Sequence, residues 1–108
     1  MDTGCVQVLV AIDTEEGAER IAERLVDERL AACVQVAGPV TSRYRWEGSV
    51  EIAREFLLVA KTAEERVDAL IAAVRDAHPY DVPEITVVPV TGGLADYLEW
   101  VRRETTLG

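Results

Sequence analysis

Between Val34 and Lys61 the sequence alternates for longer than a chain of this size has room for. On the first arm Val34, Val36, Gly38, Val40, Ser42, Tyr44 and Trp46 interleave with Gln35, Ala37, Pro39, Thr41, Arg43 and Arg45. A period of two is the mark of a strand with one covered face. After Glu47-Gly48-Ser49, Val50 and Ile52 alternate with Glu51 and Ala53, and an apolar run follows from Phe56 to Ala60. A three-residue loop sets Trp46 opposite Val50, Tyr44 opposite Ile52, and Arg45 opposite Glu51 as a cross-strand ion pair. All four large tip residues then share a face, which a one-residue slip would destroy. Arms of a dozen residues reach about 40 Å, whereas a compact chain of this length is about 34 Å across. The tip, with Tyr44, Trp46, Val50 and Ile52, should overhang the core, and an apolar ribbon with free edges needs a cover. Two covers remain open: another copy of the chain, or a kink at Gly38-Pro39 that folds the ribbon back over its own helices.

The other segments fit around this hairpin. Val6 to Ile12 is apolar but for Gln7 and suits a central strand covered on both faces. Asp13-Thr14-Glu15-Glu16 opens a helix whose inward stripe is Ala18, Ile21, Ala22, Leu25 and Val26. Thr62 with Glu65 reads as a capping box for a second helix with Val67, Leu70, Ile71 and Val74 inward, ended by Pro79 after His78. Ile85 to Val90 reads as a strand at the edge of the sheet or ending at Pro89, and Leu94 to Arg103 as a short helix with Leu94, Tyr97, Leu98 and Val101 inward. Strand, helix, strand, strand, helix, strand, helix predicts an α+β fold. It is the ferredoxin-like split βαβ sandwich, an antiparallel sheet with helices on one face, in one domain over residues 1–108.

Composition removes several function classes. A net charge of -9 leaves no basic footprint for nucleic acid or an anionic membrane surface. No signal pattern and no apolar run of about 20 residues is present, so the expected location is cytoplasmic. Cys5 and Cys33 make no disulfide framework and read as buried free thiols. Ser42 and Ser49 have no triad partners, Gly92-Gly93 lacks the spacing and lysine of a phosphate loop, and the chain has no asparagine for an acylphosphatase-like reaction. No enzymatic activity is therefore expected.

The remaining polar constellation is His78-Pro79-Tyr80-Asp81-Val82-Pro83-Glu84, between a helix end and a strand start. The only histidine, His78, with Glu84, and with a thiolate if Cys33 or Cys5 comes near, suits Cu(II) or Zn(II). The same histidine also fits a purely structural role, satisfying open carbonyls at a helix end. A site shared between subunits would gather several copies of it. Trp46, Tyr80, Tyr97 and Trp100 are candidates to line a pocket, although such aromatics equally serve core or interface.

Leu30-Ala31-Ala32-Cys33-Val34, Tyr44-Arg45-Trp46-Glu47-Gly48, Leu58 to Thr62, His78-Pro79-Tyr80 with Pro83-Glu84, and Tyr97-Leu98 with Trp100 together resemble the CutA family of divalent-cation tolerance proteins. The resemblance runs in order along nearly the whole chain. It implies a ferredoxin-like protomer assembled as a homotrimer through its long hairpins, similar to the PII signalling trimers. It also implies a non-enzymatic role in divalent metal ion binding, tolerance or response. Copper or another divalent cation would be met at His78 and Glu84, with no obligatory cofactor. Val10 stands where some members carry a cysteine. The alternative is a PII-like signalling module that binds a small effector at intersubunit clefts and acts through a protein partner.

Overall fold

The computed structural model describes residues 2–106, and its elements follow the expected order. They are β1 (Cys5–Ile12), α1 (Glu15–Asp27), β2 (Cys33–Trp46), β3 (Ser49–Ala63), a 3-10 turn (Glu64–Arg66), α2 (Val67–Ala77), β4 (Ile85–Pro89) and α3 (Ala95–Glu104). The strands make one antiparallel sheet in the order β2-β3-β1-β4, the ferredoxin-like arrangement.

Cross-strand partners share a face, so the register sorts the side chains. Val8 faces Ala60 and Val10 faces Leu58, and on this side α1 and α2 lay Ile21, Leu25, Leu70 and Val74 to form the main core. The other side carries Leu9 opposite Val59, Ala11 opposite Leu57, and Gln7 opposite Val88. There α3 packs only one end, where Leu98 and Val101 bury Cys5. Leu9, Leu57 and Val59 are left half-buried and Val88 exposed, so a stretch of this face has no helix over it.

The hairpin overhangs, as its length demands. β1 stops at Ile12 opposite Phe56, while β2 and β3 run on to Trp46 and Ser49 paired only with each other. The molecule extends 44 × 27 × 21 Å, and Tyr44, Trp46, Val50 and Ile52 are between 44% and 59% exposed, so the ribbon does not fold back over the helices.

Its register corrects the expectation. Trp46 faces Ser49, Arg45 faces Val50, Tyr44 faces Glu51 and Arg43 faces Ile52. The loop is the two-residue turn Glu47-Gly48, both at positive φ (49° and 83°), the hand that matches the strand twist. Near the base Val36 faces Leu58, but between Ala37 and Val40 the register shifts at a bulge formed by Gly38 and Pro39, which are joined by a cis peptide bond. The extra residue switches the parity of pairing. Tyr44 and Trp46 therefore share one face of the ribbon with Glu55, while Val50 and Ile52 lie on the other. The Arg45–Glu51 pair does not form.

Three further expectations change. Thr62 is no helix cap: it stays in β3, wholly buried, and donates to the Leu30 carbonyl at 2.7 Å. Thr14 does cap α1, accepting from the Gly17 amide at 3.0 Å. Leu94 (72% exposed), Tyr97 (42%) and Val26 (43%) point outward, not into the core. Cys33 is only half-buried, unlike Cys5.

Candidate functional site

α2 ends where the residue before Pro79 must leave the helical region, and His78 does so with ψ 136°. This turns its imidazole back under the sheet, where it is buried. Nε2 lies 2.7 Å from the Ala11 carbonyl oxygen, and Nδ1 accepts the Tyr80 amide at 3.2 Å. An acceptor at Nδ1 and a carbonyl at Nε2 require the proton on Nε2. The Tyr80 ring packs edge-on against the imidazole, 4.6 Å between centroids. Its hydroxyl donates to Oε2 of Glu55 at 3.0 Å. Burial, and secondarily the Glu55 carboxylate, hold the Tyr80 phenol well above its usual range.

Ala11, His78, Tyr80 and Glu55 thus form one chain of contacts from the end of β1 to the overhanging ribbon. In the crook they brace lies a cavity of about 580 Å³. Ser42, Tyr44, Trp46 and Glu55 line it from the ribbon, and Tyr80, Asp81, Val82 and Glu84 from the loop after α2, with Arg43 as the one cation. Trp46 and Tyr80, two of the pocket candidates, meet here; Tyr97 and Trp100 stack on each other in α3, 5.7 Å between centroids, and line no part of it.

The three proposed metal donors are not gathered in one protomer. Both ring nitrogens of His78 are engaged. Glu84 is exposed at the cavity. Cys33 faces Lys61, which faces Gln7, and Gln7 lies about 13 Å along β1 from the Ala11 carbonyl that holds His78. Among the described residues no group of three or more His, Cys, Asp or Glu side chains could hold a metal ion. Sequence reading passed over Glu55; its only trace there was an acid lodged against the apolar run that begins at Phe56. Among the described residues no helix is long and apolar enough to cross a membrane.

Comparison with known proteins places this architecture. The family model "CutA1 divalent ion tolerance protein" matches residues 6–104. The divalent-cation tolerance protein CutA of Thermus thermophilus is 45% identical over 91% of this chain and 95% of its own length. The chloroplastic CutA 1 of Oryza sativa is 41% identical over 93% of this chain, which spans only 56% of that protein. The solved structure of the Thermus thermophilus divalent cation tolerance protein superposes with a TM-score of 0.92 at 43% identity, covering 94% of this chain and 99% of that one. With a family model over most of its length and relatives at this identity, the chain belongs to the CutA1 family of divalent ion tolerance proteins.

Proposed function

We propose that this protein serves, without catalysing a reaction, in the tolerance of divalent cations, with Cu(II) foremost, and that it works as a cytoplasmic homotrimer. The observation that carries the reading is the designation its relatives share, divalent-cation tolerance. The loop after α2 supports it with donors of the right type, an imidazole at His78 and a carboxylate at Glu84. Because one protomer does not gather a donor set, the site is completed between copies, with Glu84 as the accessible ligand and His78 reached at Nδ1 once the Tyr80 amide lets go. Cys33 takes part only if a neighbour brings it there.

Two surfaces support assembly. The helix-free stretch with Leu9, Leu57, Val59 and Val88 is apolar and open, and the ribbon presents Val50 and Ile52 on the face opposite Tyr44 and Trp46. Light scattering on the eluting protein tests the assembly, and a monomer at micromolar concentration would overturn it. Cu(II) titration of wild type, His78→Ala and Glu84→Gln tests the ligands. Weaker binding in both variants is expected; equal stoichiometry and affinity in all three would remove these residues from the account.

A further inference from the structure

The cavity beneath the ribbon has chemistry of its own. Glu55 is only 8% exposed, the most buried of the lining residues. Its Oε2 accepts the Tyr80 hydroxyl, but among the described residues its Oε1 has no hydrogen-bond partner and its carboxylate no ion pair. The unpartnered oxygen is not sealed from solvent, so a cation arriving through the cavity would meet a carboxylate that has no counter-charge. Asp81 and Glu84 add negative charge to the same walls. Arg43 is the only cation among the lining residues, and among the described residues it makes no ion pair with Glu55, Asp81 or Glu84.

The size and spread of these groups select the cation. The acids are too dispersed to make a donor set for a bare metal ion. The space, about 580 Å³, is that of a small-molecule site. Tyr44, Trp46 and Tyr80 provide aromatic faces, which attract ammonium groups and shelter methylenes. We infer that the cavity binds an aliphatic polyamine. One ammonium sits between Glu55 Oε1 and the Tyr80 hydroxyl oxygen, the methylene chain lies along Trp46 and Tyr44, and a second ammonium reaches Asp81 and Glu84. The site shares Glu84 with the copper reading but needs neither nitrogen of His78.

Calorimetric titration of the full chain with spermidine at physiological salt tests this. Wild type should bind saturably, one ligand per chain. Glu55→Gln should weaken binding about tenfold or more, since it removes a charge-assisted bond. The Asp81→Asn/Glu84→Gln double variant changes exposed residues only and keeps the test alive if Glu55→Gln does not fold; it should weaken binding several-fold. Glu19→Gln makes the same charge change on the exposed face of α1 and should leave affinity unaltered. Three results would overturn the inference: no saturable heat up to about 10 mM ligand, a loss in Glu19→Gln as large as in the cavity variants, or Mg²⁺ displacing spermidine at equal concentration. The last two would reduce the effect to attraction by a chain of net charge -9.

Discussion

Replacing His78 by phenylalanine keeps a ring in the buried slot and removes both of its hydrogen bonds, to the Ala11 carbonyl and from the Tyr80 amide. Each such bond contributes about 0.5–1.5 kcal/mol net, and a buried group left unpaired costs about 1–3 kcal/mol. The Ala11 oxygen and Tyr80 nitrogen both lose a partner, so a destabilisation of about 2 kcal/mol is expected. That is about a thirtyfold change in the unfolding equilibrium and a fall of about 10 °C in Tm for a domain of this size. Urea unfolding of wild type and variant at one matched protein concentration measures it, with an unchanged m-value showing that stability alone has moved. Two partial replacements sharpen the test. Asparagine places an oxygen near Nδ1 and should recover the Tyr80 contact; glutamine places an amide near Nε2 and should recover the Ala11 contact. Each should regain about half of the loss. A His78→Phe change below about 0.5 kcal/mol would refute the view that this imidazole braces the loop against β1.

Three other outcomes follow from the same geometry. At Gly38, φ is +138° and an added Cβ would stand 3.0 Å from the Glu55 carbonyl oxygen and from Phe56 Cδ2; Gly38→Ala should lose about 2–3 kcal/mol in urea unfolding. Thr62→Val, which strips the Leu30 carbonyl of its buried donor, should lose about 1–3 kcal/mol, while Thr62→Ser should lose less of the hydrogen-bond contribution. The raised Tyr80 phenol makes a pH prediction. Above about pH 10 the unfolded chain gives up this proton while the folded chain keeps it, so stability should fall as pH rises from there. Tyr80→Phe should flatten that slope, and an identical alkaline profile in both proteins would contradict it.

The sequence carried the fold because its signals were local and mutually consistent. The strand period of Val34–Trp46, the helix start at Asp13-Thr14-Glu15-Glu16 and the Pro79 stop each act over a few residues. Each marks an element that forms, although the strand's single covered face ends at the bulge. Register failed for a physical reason. Parity along a hairpin is transmitted only through an unbroken ladder, and Gly38-Pro39 breaks it. Thr62 misled because the same Thr-x-x-Glu pattern that caps a helix also serves a strand whose hydroxyl has a buried carbonyl in reach. Leu94 and Tyr97 turned out because α3 meets the sheet along the narrow line of Leu98 and Val101. Of the candidate site, the loop from His78 to Glu84 could be read directly, but its partners could not. Glu55 meets Tyr80 across 25 positions, and Ala11 meets His78 across 67, pairings that only the completed crossovers bring about.

The bulge also separates the design of the tip from that of the sheet. Beyond Gly38-Pro39, which side a residue serves is decided afresh, so the outer ribbon can be rewritten without disturbing the pattern that packs α1 and α2. Its length is less free. Growing each arm by one residue beyond the bulge would swing Trp46 away from the hollow it lines and carry Val50 into it. Natural lengthening of this ribbon should therefore come in whole pleats, a pair of residues to each arm.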